Sequence, residues 1–398
     1  MPAANSRQMG VSEALKRRFD QWMTSPALYR WAIANPLGRW ITRRRAAALF
    51  EVMAGFVHSQ VLLACVRLGI FDKVLAAPAT LESLAADTGM QTASLERLLS
   101  SAVALRLLDQ RSGGRYGLGA LGAPVVTHAG LRAMIEHNAL LYEDLRDPLA
   151  LMQRPDQASM HAYWPYAADG KQAPRKDEKA RLAPTEAPPK DAPAEQVARY
   201  SELMSSSQRF VIEELLASYA FARHRRVLDV GGGQGGWVTE LARHAPQLQL
   251  MLFDLPPVAA IARARIAQQG LTQRIEVHGG SFTANALPTG ADLVTLLRVA
   301  HDHPDEVVRV LLRAIYEALE PGGKLLLAEP MAQSQAVHGA KPAVGDPYFH
   351  FYLLAMGSGR LRTAQALSEL MAEAGFRSIK TIPNPMPLHA GLLVGQKP

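Results

Sequence analysis

The chain has 398 residues, 48% hydrophobic and 20% charged, which allows two or three domains and a large core in an ordinary globular profile. A single cysteine, Cys65, excludes an internal disulfide framework and a cysteine-built zinc site, and it fits a reducing cytosol. The net charge of +7 points to nucleic acid only until it is located: residues 1–45 hold nine Lys/Arg against two acids, a surplus that equals the whole net charge.

That basic segment also carries three of the five tryptophans, Trp22, Trp31 and Trp40. Val11, Leu15, Phe19 and Trp22 fall on one helical stripe with Lys16 and Arg17 off it. Basic residues with tryptophan on an amphipathic helix suit an anionic membrane surface, and they equally suit an arm packed on a neighbouring subunit. No apolar run approaches the roughly 20 residues of a membrane span. No basic region followed by an apolar stretch marks a secretory leader.

Residues 46–135 read as mostly helical. "AAALFEVMAGFVHSQVLLACVRLGIFDKV" is one long apolar helix or two. "TLESLAADTGMQTASLERLLSSAVALRLLDQ" reads as helix, turn at Thr88-Gly89, helix, and "RSGGRYGLGALG" as a hairpin with glycine turns. Helix-turn-helix with a hairpin is a winged-helix pattern. A DNA reader needs a positive excess to hold phosphates, yet residues 81–120 set Arg97, Arg106, Arg111 and Arg115 against Glu82, Asp87, Glu96 and Asp109. A dimerisation or interaction role is therefore favoured over a DNA-binding regulator. Residues 167–196 are rich in Pro, Ala, Lys and Glu and poor in large apolar residues, and they predict an exposed insertion.

From residue 200 the pattern changes to strand–helix alternation. "RRVLDV", "LQLMLFD", "RIEVH", "ADLVTLL", "KLLLAE", "SIKTI" and "AGLLVG" read as strands, with helices such as 258–268, 304–319 and 364–374 between them. This predicts an α/β fold with a doubly wound, mostly parallel sheet of about seven strands covered on both faces. The short loop between the last two strands predicts that one of them is antiparallel.

"VLDVGGGQGGW" ends one predicted strand and opens a helix. Gly231, Gly233 and Gly235 let the backbone turn tightly and admit a ligand. Neither the G-x-G-x-x-G dinucleotide fingerprint nor a Gly-Lys-Ser/Thr phosphate loop is met. The acid Asp229, two residues before the glycines, suits an ammonium group. "LFDLP" places Asp254, with Leu255 beside it, at a strand's carboxyl end, where an acid bridges two ribose hydroxyls. "HGGSF" offers Ser281 and Phe282 to an adenine edge. An ammonium, a ribose and an adenine together spell S-adenosylmethionine.

With "HDH", "PGGKLLLAE" and "GRLRT" added, the chain resembles the class I, S-adenosylmethionine-dependent O-methyltransferases that carry a winged-helix-like N-terminal dimerisation domain. The resemblance covers roughly residues 46–166 and 197–398 and implies four segments: a basic arm over 1–45, a dimerisation domain over 46–166, an insertion over 167–196 and a catalytic domain over 197–398. It also implies a homodimer. "ALLYEDLRDPLALM", "YWPYA" and "YFHFYLLAMGSGRLRTA" are similar to the carotenoid branch, the hydroxyneurosporene or demethylspheroidene O-methyltransferases, which implies methylation of a carotenoid's tertiary hydroxyl. The rival acceptors are a tetrapyrrole carbon or a polyketide phenol.

The resemblance assigns His301 as general base and Glu329 as the acid that orients it. Independently, both follow strands at the carboxyl edge, where such folds bind ligands, and imidazole takes protons near neutral pH. An aliphatic alcohol is far less acidic than imidazolium, so proton removal has to accompany attack on the methyl group. The family's second glutamate is replaced by Leu361, within Gly359-Arg360-Leu361-Arg362-Thr363, which suits an apolar acceptor. Ser281 replaces the usual aspartate near adenine, and Arg298 stands in for a cofactor-contacting lysine. Phe349, Tyr352 and Met356 are candidates for the acceptor pocket, and Met204 and Ser207 are weaker candidates for cofactor or substrate contacts. In "HDHPDE" an extended backbone would set His303 on the same face as His301, a two-histidine arrangement with no further ligands nearby, and no metal is expected. Pro304 then suits the first helical position, with Asp305 and Glu306 in the first turn. His303, where the family has tryptophan, is unexplained by sequence.

Overall fold

The computed structural model describes residues 4–163, 211–332, 345–384 and 390–398. The chain divides into two compact units, Met1–Ala123 and Pro124–Pro398. Residues 124–163, grouped with the N-terminal region by sequence, thus fall in the second unit. The insertion over 167–196 and the candidates Met204 and Ser207 lie outside the described residues.

The first unit opens with three helices, α1 (Ala4–Met23), α2 (Pro26–Ala34) and α3 (Pro36–Arg67). Ser25 sets the start of α2: its hydroxyl accepts the Leu28 N–H at 3.2 Å, and Pro26 occupies the first helical position. The basic arm and the apolar segment after it are continuous, because α3 runs through both. α3 is long and apolar enough to cross a membrane by length and composition, which corrects the expectation of no such segment. Polar residues such as Glu51 and His58 interrupt the run without outweighing it. Only Leu63 and Cys65, near its C-terminal end, are buried. Helices Ile70–Ala76, Leu81–Thr88 and Thr92–Ala104 follow, and Gly89 in the left-handed region ends the second of them at the expected turn. The hairpin of β1 (Leu108–Arg111) and β2 (Arg115–Leu118) closes the unit.

The second unit contains β3 (Arg226–Val230), β4 (Gln249–Asp254), β5 (Ile275–Gly279), β6 (Ala291–Leu297) and β7 (Leu319–Glu329). The short β8 (Met331–Ala332) and β9 (Arg362–Thr363) pair in parallel, and β10 (Arg377–Ile382) and β11 (Gly391–Gln396) complete the set. The seven-stranded sheet has the order β10-β11-β7-β6-β3-β4-β5. Among the described strands of this sheet, β11 runs antiparallel to both β10 and β7 while the other pairs are parallel, as the short last connection predicts. The central strands are apolar on both faces because each face has its own core. One core gathers Val227, Trp237, Leu241 and Leu326, and the other Leu228, Val294, Leu312 and Phe376. A third cluster joins Leu141, Leu151 and Met160 to Tyr352, Met356 and Leu361. The parallel strands direct Asp229, Asp254, Leu297 and Glu329 to one carboxyl edge.

Candidate active site

The glycine loop leaves β3 and enters the helix Gly236–His244. Gly231, Gly233 and Gly235 have φ of 72°, 56° and 83°, the left-handed region that glycine enters without strain. A side chain at Gly231 would strike Val299, whereas one at Gly233 would meet nothing within 4 Å, so the loop opens onto free space there. The Gly233 N–H donates to Asp254 Oδ2 at 2.7 Å, and the Leu255 N–H donates to Oδ1 at 2.7 Å. Each carboxylate oxygen keeps a further lone pair for a diol. Burial pushes the Asp254 carboxyl up to about 6, against those two N–H groups.

Asp229 is deeper, 2% exposed. Thr295, opposite it across β3 and β6, donates its hydroxyl to Asp229 Oδ1 at 2.8 Å and accepts the Trp237 indole N–H at 3.1 Å. This relay sets the carboxylate under the glycine loop. Burial pushes the Asp229 carboxyl up to about 8, against the Thr295 hydrogen bond, with the Asp254 charge adding to the rise. A buried carboxylate in that condition is a receptor for a cation. A cation receptor, an open glycine loop and a diol-ready carboxylate fit S-adenosylmethionine.

Ser281 turns into its own loop, with its hydroxyl 2.7 Å from Thr283 Oγ1 and its N–H on Asn285 Oδ1. Phe282 packs edge-on against His303, with centroids 5.4 Å apart and planes at 82°. His303 therefore supplies an aromatic ring where the related motif has tryptophan. Burial, helped by His301, pulls the His303 imidazole down to about 4.

The catalytic candidates meet beyond β6. Glu329 Oε2 lies 2.6 Å from His301 Nδ1 and accepts the His301 N–H at 3.3 Å, while Oε1 accepts the N–H groups of Val299 and Ala300 at 2.8 and 2.7 Å. Ala300–Asp302 is one 3₁₀ turn, which corrects the extended backbone expected there. His303 consequently does not share a face with His301. The neighbour that does reach the base is Asp302, with Oδ1 3.2 Å from His301 Nε2. The imidazole is thus held between two carboxylates. Burial lowers the His301 pKa, but Asp302, Glu329 and the Glu329 hydrogen bond outweigh it and raise the net value. Burial pushes Asp302 up to about 6, with His301 opposing.

A buried guanidinium fixes this turn. Arg362, 3% exposed, donates to the carbonyls of Ala300 and His303, both at 2.7 Å, and to Asp305 Oδ1 at 2.8 Å. Gly359, at φ +88°, lets the chain pass so close that a Cβ would lie 2.1 Å from the His301 carbonyl. Pro304 is the cap of the helix Asp305–Ala318 rather than its first residue, and Asp305 is engaged by Arg360 and Arg362 as well as by the helix dipole. Arg298 adopts φ +54°, uncommon for a residue with a side chain, and donates its N–H to Ala328 at 2.8 Å. Its charge acts on His301 and Asp302.

In the helix Asp346–Met356, Tyr352 and Met356 are buried beside Leu361, and Phe349 is half-buried against the same cluster. The Tyr352 hydroxyl lies 3.2 Å from His137 Nε2, and the Met356 carbonyl lies 2.9 Å from His161 Nδ1. Sequence reasoning missed Asp302, Arg362, Thr295 and Trp237. A lone threonine inside the apolar run "ADLVTLL" and an arginine inside a buried motif were the available signals.

Comparison with known proteins matches residues 187–377 to an O-methyltransferase domain and residues 50–127 to an O-methyltransferase dimerisation domain. The chain is 39% identical to the demethylspheroidene O-methyltransferase of Cereibacter sphaeroides, covering 91% of this chain and 90% of that protein. It is 38% identical to the demethylspheroidene O-methyltransferase of Rhodobacter capsulatus, covering 86% and 80%. Among solved structures, the S-adenosylmethionine-dependent methyltransferase SibL superposes with a TM-score of 0.71 at 25% identity, covering 88% of this chain and 99% of that one.

Proposed function

This chain belongs to the S-adenosylmethionine-dependent O-methyltransferases that pair through a dimerisation domain, and on that premise we propose that it methylates the tertiary hydroxyl of a hydroxylated carotenoid. The bound cofactor supplies a methyl group made electrophilic by a sulfonium. Asp229 and the glycine loop would hold its amino acid end, Asp254 and Leu255 its ribose, Ser281 and Phe282 its adenine, and Arg298 its remaining polar contact. In the segment scheme read from the sequence, the arm, dimerisation domain and insertion precede a catalytic domain at 197–398.

His301 is the base. With Nδ1 committed to Glu329, Nε2 is the nitrogen left for the chemistry: the acceptor hydroxyl would displace Asp302 Oδ1 from its 3.2 Å contact and give its proton to Nε2 as the new carbon–oxygen bond forms. Asp302 stabilises the imidazolium at that nitrogen. Phe349, Tyr352 and Met356 form the acceptor wall with Leu361. The observation that carries the reading is this pairing of a two-carboxylate histidine with an apolar wall in place of a second glutamate. The 38–39% identity to demethylspheroidene O-methyltransferases supports the carotenoid. The acceptor is membrane-dissolved, so peripheral contact with the cytoplasmic face of the membrane, through residues 1–45, belongs to the same reading.

The test is incubation of the purified chain with labelled cofactor and a panel of acceptors. A labelled ether on the hydroxylated carotenoid is expected. Transfer only to a tetrapyrrole or a phenol would overturn the carotenoid assignment.

A further inference from the structure

We propose that α1, α2 and the first turns of α3 form a surface that docks flat onto an anionic lipid bilayer. The inference rests on the reading of a membrane-dissolved acceptor and specifies the lipid chemistry and the geometry of contact. Trp22, Trp31 and Trp40 sit in three successive helices and are 54%, 62% and 59% exposed. Tryptophan is highly buried on average, so three open ones in about 20 residues are large apolar side chains left unpacked against the chain. Leu15, Phe19 and Trp22 follow the i, i+4, i+7 stripe of α1 and are all exposed, and the Phe19 and Trp22 rings lie 5.8 Å apart. α2 buries no residue.

The charge in this surface matches one partner. The chain's entire positive surplus lies in the same 45 residues, between the aromatics rather than apart from them. The Arg44 guanidinium lies 5.7 Å from the centre of the Trp40 ring. Indole rings settle at the headgroup level and basic side chains are drawn to anionic lipid, so the mixture suits that interface. A nucleic acid would use the charge and leave the apolar stripe in water.

Two other occupants fit less well. Spanning by α3 would use its apolar stretch after Arg45, which would carry Glu51 into the hydrocarbon and pull Leu63 and Cys65 from their own core. The second copy of the chain has its own surface, since the exposed Phe50, Val52, Met53, Phe56 and Val57 lie inside the matched dimerisation segment. The arm precedes that segment, and pairing it with itself would set like charges together.

The test uses the full chain and sedimentation with vesicles of phosphatidylcholine, with and without phosphatidylglycerol. Binding to the anionic vesicles, a blue shift of tryptophan emission and loss of binding at high salt are expected. A basic side chain at such a surface is worth roughly fivefold in partitioning, so replacing Lys16, Arg17 and Arg18 together by alanine should weaken it roughly a hundredfold. Trp31→Ser with Trp40→Ser should weaken it while leaving the charge intact. Equal binding to both vesicle types, unchanged binding of either variant, tighter binding to duplex DNA, or conversion of the dimer to a monomer by the tryptophan variant would each overturn the proposal. Turnover on detergent-dispersed hydroxylated carotenoid separates the two readings. Ether formed without vesicle binding removes only the docking, and vesicle binding without ether removes only the methyl transfer.

Discussion

His301 Nδ1 stands 2.6 Å from Glu329 Oε2, and the same carboxylate holds the backbone N–H groups of Val299, Ala300 and His301. One side chain therefore orients both the imidazole and the turn that carries it. His301→Ala should lower kcat by about a hundredfold to ten-thousandfold, the ordinary range for general acid–base catalysis. Glu329→Gln keeps the shape but loses the negative partner, and it should lower kcat with little change in cofactor affinity. Steady-state kinetics with calorimetric cofactor titration would check both. Cofactor affinity lost in parallel with kcat would place Glu329 in binding instead.

The raised pKa of His301 sets the sign of the pH profile. The base must be neutral at Nε2, so kcat/KM should rise with pH through that raised value rather than through the ordinary histidine range. Asp302 is the strongest influence raising it against burial. Asp302→Asn removes that charge, so the ascending limb should move to lower pH while the plateau falls, because the imidazolium loses its partner at 3.2 Å. A limb that stays in place would show that Asp302 does not act on the base.

If Asp229 receives the cofactor's ammonium as proposed, cofactor binding is itself pH-dependent. Burial pushes its carboxyl up to about 8, so at neutral pH it carries a proton that a bound ammonium would displace. Affinity for S-adenosylmethionine should therefore increase as pH rises from about 6 to 8, with proton release on binding. Titration calorimetry in two buffers of different ionisation enthalpy measures that release directly, and Asp229→Asn should abolish it.

The seven strands and the carboxyl-edge placement of Asp229, Asp254 and Glu329 were legible because a parallel sheet writes itself as apolar runs ending in loop residues. The turn at Ala300–Asp302 was not. A three-residue 3₁₀ turn has no periodicity of its own, and its shape comes from Arg362 and Glu329, which lie 62 and 29 positions from Ala300. Asp302 was overlooked for that reason, since its contact with His301 exists only when the backbone coils. His303 was inexplicable in sequence because its partner, Phe282, comes from another loop. The aromatics of the arm stand out in composition, but their openness to solvent is a property of the folded chain.

Arg362 holds four acceptors at once, the carbonyls of Ala300, His303 and Arg360 and the Asp305 carboxylate, so its removal should cost both stability and activity. Arg362→Met leaves the Ala300 and His303 carbonyls without this donor and leaves Asp305 to Arg360 alone, and each buried acceptor left unsatisfied costs about 1–3 kcal/mol. Arg362→Lys keeps the charge but cannot fork between two carbonyls. It should recover part of the stability, measured by urea unfolding, and much less of kcat. Equal recovery of both would mean that the arginine serves the fold alone.

Leu361 gives the sharpest test of acceptor chemistry. It is 6% exposed and packs with Tyr352 and Met356, at the position where the family resemblance implies a second glutamate. Leu361→Ala should destabilise the chain by about 2–5 kcal/mol through the cavity it leaves. Leu361→Glu places a carboxyl against that apolar cluster, where it is held protonated by burial or stabilised by His301. In the second case it raises the imidazole pKa further, so the ascending limb of the pH profile should move upward, opposite to the shift from Asp302→Asn. Turnover on an aliphatic carotenoid alcohol should fall more than turnover on a phenol, because the added charge disfavours the apolar chain and a phenol gives up its proton more readily. A Leu361→Glu variant that handles both acceptors like the parent would show that this position does not select the acceptor.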